Sequence, residues 1–542
     1  MYETGTATDF MDLAAKLNTL LTATGSAFGL TYVGTGTGTC TAIKGGATSV
    51  AESFDLTATS ATNFTVVGTV SGSIGPATVG TPFSHTKIAF TLTAGGTAFV
   101  AGDKFTLATA PKWTQQLGPV TATSTQWRVN FRGSASSSPV RFQRVELALT
   151  AGGADQAAGS GGTATATGST GSNTPDMAAD TNPATYYEAA GTGAGWWQYT
   201  FLATKAITEV AITGAQANNL NGPLDFTIEY WSGSAWVIAG SFVNETAWGA
   251  SERRVFRLAQ YIWLAPGNDG AGQIYVGIHP HRNDAAGWYN WRLGGFTSYS
   301  ASTDWHNQPG GLKRGDYLGG GGLTYGPELP LANGSMTYWF VVNGRRVMGV
   351  AKSGSTYSPF YLGLIAPYAS PGQWPYPLFV GGALAFELEP INSDSKWAIG
   401  NTHGQHTSYA NPFTAIKLGG QTLTHNWSPA MLRKPDGSWL GFYSHSDFYA
   451  VNQVLVGALW PYAYGFTNLK PDLDGTYSVM PIVLIERPPN ATNVYGQFDG
   501  VQAVTGTSLT PEAAITIGID TWIAFPDVTR STASDYFAMK KD

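Results

Sequence analysis

The sequence predicts an all-β, multidomain protein of antiparallel β-sandwiches with one short N-terminal helix. Short segments of alternating apolar and polar residues recur along the chain, each closed by Gly, Asn or Asp. Only 12% of residues are charged, against roughly a quarter in an average soluble protein, while Gly (68 residues) and aromatics (13%) are abundant. At 542 residues the chain exceeds what one ordinary core organises, so several sandwiches in series are expected.

The totals also exclude function classes. A net charge of -6 leaves no electrostatic footprint for nucleic acid, whose binding depends on clustered Lys and Arg. Cys40 is the only cysteine, so no intrachain disulfide can form and a disulfide scaffold is ruled out. The opening MYETGTATDFMDLAAKL has neither a basic stretch nor an apolar run and does not read as a signal peptide, so synthesis in a cytoplasm is expected. No window approaches the roughly 18 uninterrupted apolar residues of a membrane span.

Four segments follow in order. Within 1–28, Asp9 caps a helix from Phe10 to Leu21, because Phe10, Leu13, Leu17 and Leu20 recur at helical spacing and Asp12 places negative charge in the first turn. Its apolar stripe packs on its own domain, on a neighbouring copy or on a partner protein. Residues 29–118 form a small β domain from SFDLTAT, NFTVVGTVSG, KIAFTLTAGG and FVAGDKFTL, in which Val100 to Phe105 is a tight turn without reactive groups. Residues 119–260 form a second sandwich. There Trp127, Val129 and Phe131 share one face, and the Gly, Ala, Ser and Thr-rich run Gly152 to Thr174 is a surface loop with one weak strand, GTATATGS. In the same segment Trp197, Tyr199 and Phe201 alternate toward the core, while Trp196, Gln198 and Thr200 face the other way. Residues 261–542 form a large β domain or two fused sheets, with a hairpin at Asn343-Gly344 between two apolar runs.

Several chemistries can be tested on the residues. Glu387 and Glu389, or Asp472 and Asp474, are the acidic pairs a polysaccharide depolymerase could use, yet their spacing fits a solvated strand face and a turn. His403, His406, His425, His445 and Asp447 match no closed zinc motif, and the Asp472 loop places Val483 where a calcium loop needs an acid. GGGG at Gly319 to Gly322 lacks the lysine and the setting of a phosphate loop. No catalytic pair is named, and the chain is not expected to be an enzyme. Loops with Tyr187, Asn218, Asn219 and Trp248 are the candidate glycan-binding surface, since sugar C–H faces stack on rings and amides bond hydroxyls.

The order Asp180, Asn182-Pro183-Ala184-Thr185, Tyr187, Trp196-Trp197-Gln198 and then ITEVAITG resembles the discoidin-like, or galactose-binding-like, domain. The resemblance implies an eight-stranded jelly roll whose loops at one end bind glycans or membrane head groups. It implies a structural calcium, with Asp180 and the Thr185 carbonyl as ligands, and a core role for Trp197. The chain departs from the family after Gln198, where Thr200-Phe201-Leu202-Ala203 replaces the usual acidic residue and Gly, and it lacks the terminal cysteine pair of secreted members.

Longer phrases, among them TVSGSIGPATVGTPFS, IYVGIHPHRNDAAGWYNWRLGGF and TWIAFPDVTRSTASDYFAMKKD, resemble structural proteins of tailed bacteriophages. Together the resemblances imply a virion protein of the tail tip or baseplate, made in the bacterial cytoplasm and assembled with its own copies and other virion proteins. The discoidin-like module is expected to face a host glycan or a neighbouring subunit, whose packing would use the same aromatics. The alternatives are a free carbohydrate-binding protein and a depolymerase.

Overall fold

The structure is a computed structural model that describes residues 2–22, 27–45, 52–109, 113–134, 138–215, 221–243, 245, 248–269, 272–283, 288–311, 327–382, 384–385, 430–441, 453–456, 479–487, 493–504, 509–518, 520–526 and 536–541. It is all-β with antiparallel sheets and, among the described residues, one α-helix.

The helix spans Phe10–Thr22 and begins as expected. Asp9 Oδ1 accepts from the amides of Met11 and Asp12 (both 2.8 Å), and Asp12 Oδ2 accepts from Thr8 N–H (2.9 Å), so orphan amides at the first turn are satisfied reciprocally. Phe10, Leu13, Leu17 and Leu20 are buried, and they are buried on this same chain. The helix lies against the sheet that holds Trp263 and Trp291. Trp263 Nε1 donates to Asn18 Oδ1 and Trp291 Nε1 to the Phe10 carbonyl, each at 2.8 Å.

A three-layered body holds most of the core. Its middle layer is a seven-stranded sheet with the order Tyr2–Ala7, Met336–Val342, Arg346–Ser353, Thr356–Leu364, Leu378–Gly381, Ala430–Arg433 and Trp439–Gly441. One face of this sheet, with Phe340, Val342, Phe360 and Leu362, meets the helix and a six-stranded sheet carrying Trp263, Ile278, Trp291 and Leu293. The other face, with Trp339, Val341, Met348 and Tyr361, meets a third sheet through Leu484, Phe498, Phe525 and Phe537. Strands covered on both faces have no reason to alternate, and Thr356–Leu364 is buried at every position after the first. The Asn343-Gly344 turn joins two of these strands as predicted, and Asn343 Oδ1 caps it by accepting from the amides of Arg345 and Arg346.

Two modules are inserted into this body, and the expected boundaries are corrected accordingly. Residues 2–22 are no separate segment, because Tyr2–Ala7 is an edge strand paired with Met336–Val342. Thr114–Leu117 pairs with Tyr261–Pro266 and so also belongs to the body, not to the small β domain. The first insertion, residues 27–109, stacks a five-stranded on a three-stranded sheet around Phe54, Leu56, Phe64, Phe90 and Phe105. Its Val100 to Asp103 turn needs Gly102 at φ +98°, where a side chain would be strained. There Asp103 is buried and accepts from the amides of Thr35, Val100 and Gly36 and from the Tyr32 hydroxyl. The Thr35 amide foremost, with the others, lowers its carboxyl pKa to about 2, so the turn is a charged clamp.

The second insertion is a sandwich of a five-stranded and a four-stranded sheet, closed at its neck by Val120 N–H donating to the Leu258 carbonyl (3.1 Å). Trp127, Val129, Phe131, Trp197, Tyr199 and Phe201 fill its core, as the alternation predicted. The weak strand inside the small-residue run is present as Thr163–Ala166, paired with the strand Gly195–Lys205.

Candidate functional site

The residues expected to touch a ligand divide into three groups. Tyr187 and Trp248 are buried, at 0% and 1% exposure, which corrects the expectation of exposed loop rings. Each ring hides its apolar body and spends its polar handle internally: Tyr187 Oη donates to the Gly168 carbonyl (2.8 Å), and Trp248 Nε1 to the Pro223 carbonyl (3.2 Å). Gly222 sits so close to the Trp248 ring that a Cβ there would lie 2.3 Å from it. Asn218 and Asn219 lie outside the described residues.

Asp180 and Thr185 do come together. Asp180 Oδ1 accepts from the Asn182 amide (3.0 Å), and its two oxygens accept from the Thr185 hydroxyl (3.0 and 2.8 Å). That closes an Asx turn within the loop, with the carboxylate turned to its own chain. Among the described residues no three His, Cys, Asp or Glu gather to hold a metal ion. Glu387, Glu389, Asp472, Asp474, the Gly319 to Gly322 run and His403, His406, His425, His445 and Asp447 lie outside the described residues.

What the alternation expelled from the sandwich core is more informative. Trp196, Gln198 and Thr200 form the outward face of their strand, and the neighbouring Ser124–Phe131 strand presents Arg128 and Asn130 beside them. Across the next strand Glu229 accepts from Arg128 Nε (2.6 Å), Asn130 Nδ2 (2.8 Å) and the Thr227 hydroxyl (2.5 Å), and is itself buried. The guanidinium of Arg128 lies 4.1 Å over the ring of Trp236, which meets Trp231 at 5.5 Å between ring centres. Trp196, Trp231 and Trp236 are each only half-buried, so rings flank a polar centre that is already fixed by its own bonds.

The second polar cluster is closed. It fills the seam between the sandwich and the body, and the sequence reading missed it. From the sandwich side, Glu245 accepts from His281 (2.8 Å) and from Arg254 (3.2 Å). Gln260, at the neck, donates to the Ser241 carbonyl (2.7 Å) and to His279 Nε2 (2.9 Å). In the body, Glu328 accepts from Asn290 (2.7 Å) and Arg292 (3.1 Å), and the His306 ring stands 5.2 Å from that of His279. Burial, with the positive charge of Arg292 adding to it, drives the His281 pKa down to about 4 and holds His279 and His306 well below the usual imidazole value. The rings are therefore neutral near pH 7 and act as fitted hydrogen-bonding pieces. A faint signal was there: His279 and His281 alternate on one face of QIYVGIHPHRN, which is an unusual side chain pair for a covered strand.

No protein-family model and no curated protein matches the chain. Among the described residues no helix is long and apolar enough to cross a membrane.

Proposed function

We propose that the chain is a structural component of a tailed-phage virion, at the tail tip or baseplate, assembled in several copies, whose second sandwich presents a binding face to a host glycan. The nesting of two β modules as excursions from one three-layered body is the observation that carries this reading. A body with its layers mutually covered serves as a mount, and the modules project from it. The polar seam, where Glu245 is held by Arg254 and accepts from the neutral His281 of the body, fixes the sandwich in orientation, which is what display on a particle requires. Many weak sites on one particle then give avidity without strong individual contacts. Binding, not turnover, is the task in this reading.

Mass spectrometry of purified virions tests it. The chain is expected at fixed stoichiometry among the particle proteins. Its absence from particles, together with a monomeric isolated protein, would favour a free carbohydrate-binding protein. Shortening of host polysaccharide, abolished by mutating one acidic pair, would make it a depolymerase.

A further inference from the structure

We infer that the outward face of the five-stranded sheet, between Trp196 and Trp236, is a binding platform for an uncharged oligosaccharide chain laid across the strands. The inference rests on the reading of the sandwich as the binding module and moves the site from its loops to its sheet. Trp196 sits on the strand Gly195–Lys205 and Trp236 on Trp236–Phe242, three strand spacings across and four residues along by register, which is about 19 Å at the usual intervals. Partly exposed rings at opposite corners offer flat apolar surfaces of the kind that sugar C–H faces cover. Between them Gln198 and Asn130 supply amides, and Gln198 Nε2 is oriented by a bond to the Thr200 hydroxyl (3.1 Å). An amide held in place by a neighbour loses little freedom on meeting a ligand hydroxyl.

Charge decides between occupants. Arg128 is neutralised by Glu229 and stacked on Trp236, and Arg132 just past the end of the same strand is paired with Asp304. These two cations are already partnered, so the face favours an uncharged sugar over an acidic one. A second protein would instead favour a desolvated apolar centre, since the middle of an interface is depleted in charge, whereas the centre here is an ion pair. Among the described residues of these five strands, only Leu202 exposes a large apolar side chain by more than a third, and it lies in the irregular stretch past Thr200. A chain of hydroxyls and C–H faces suits what remains.

The test is a glycan array carrying neutral and acidic oligosaccharides, probed with the full chain and with Trp236→Ala, Trp196→Ala and Gln198→Ala. Neutral glycans are expected to be retained, with retention about tenfold weaker in each Trp variant. Thermal melts identify any variant that fails to fold, and Trp196→Ala and Gln198→Ala remain if Trp236→Ala does. The proposal is overturned by retention that none of the variants changes, by retention of acidic glycans alone, or by no retention. A change of sedimentation in the Trp variants would overturn it too, because a second copy would then cover the face. Particle membership is measured separately, so the virion reading can stand while this one falls, and the reverse.

Discussion

Trp113 Nε1 donates a hydrogen bond to the backbone carbonyl of Asn343 at 2.7 Å, joining residues 230 positions apart. The indole is buried where the chain re-enters the body after the first insertion, and Asn343 is the turn residue of the hairpin in the middle sheet. Trp113→Phe keeps most of the packing and loses the donor, so it should cost about 1 kcal/mol. Trp113→Ala should cost about 3–5 kcal/mol. Urea unfolding followed by intrinsic fluorescence separates the two.

The first insertion should be removable. The helix ends at Thr22 and packs against the strand Thr114–Leu117, and the module's hydrophobic cluster draws on residues between Tyr32 and Leu107. Replacing residues 27–109 with a short Gly/Ser linker should leave the remainder folded, with a near-UV circular dichroism spectrum equal to the parent's minus that of the isolated module. A molten or insoluble product would refute the nesting.

In the N-terminal helix Leu17 has 0% exposure and faces the six-stranded sheet. Leu17→Ala should lower stability by about 2–5 kcal/mol, through lost burial and the cavity left behind. Lys16→Ala, on the half-exposed side, should change it by under about 0.5 kcal/mol.

Arg292 and Glu328 form a pair that is buried on both sides. Removing one charge strands the other, so Glu328→Gln should cost about 3–5 kcal/mol. The double replacement Arg292→Met with Glu328→Leu should recover much of that loss, because two charges are then no longer desolvated. Chemical denaturation of the parent and the two variants compares the losses directly.

Acid should loosen the seam before ordinary carboxylates titrate. His281 has a folded pKa of about 4 against roughly 6.5 when unfolded, so the unfolded chain binds the extra proton first. Stability is therefore complete above about pH 7, declines as pH falls from about 6.5 toward 4, and gains no further penalty from this group below that. His279 and His306 act in the same direction, within a seam that also holds Glu245, Glu328, Arg254 and Arg292. Urea midpoints at pH 7.5, 6 and 5 should fall in that order, and His281→Gln should flatten the slope.

Local rules made much of the fold legible. The helix, its Asp9 cap and the inward alternation of Trp197, Tyr199 and Phe201 follow from residues within a few positions of one another. The nesting does not, because Tyr2–Ala7 finds its partner more than 300 residues away and YETGTA carries little apolar pattern to announce it. Tyr187 was misjudged for a related reason: a two-residue edge strand beside glycine-rich text reads as a loop, although the ring is core. The seam stayed hidden because Glu245 and His281 acquire meaning only when two modules meet. The outward face was visible as alternation, but its fixed Arg128–Glu229–Trp236 arrangement requires knowing which strands are neighbours.

The edge strand Tyr2–Ala7 and the helix after it impose an order of events during synthesis. They emerge from the ribosome ahead of both insertions, yet the strand that pairs with Tyr2–Ala7, Met336–Val342, is made several hundred residues later. At about 5–20 residues per second that is a wait of tens of seconds, and for most of it the helix's leucines lack the strands of Trp263 and Trp291 that cover them in the finished body. The two excursions can fold in that interval on contacts of their own. Translation speed and holdase supply should therefore limit the soluble yield of this chain more than the stability of its finished form does.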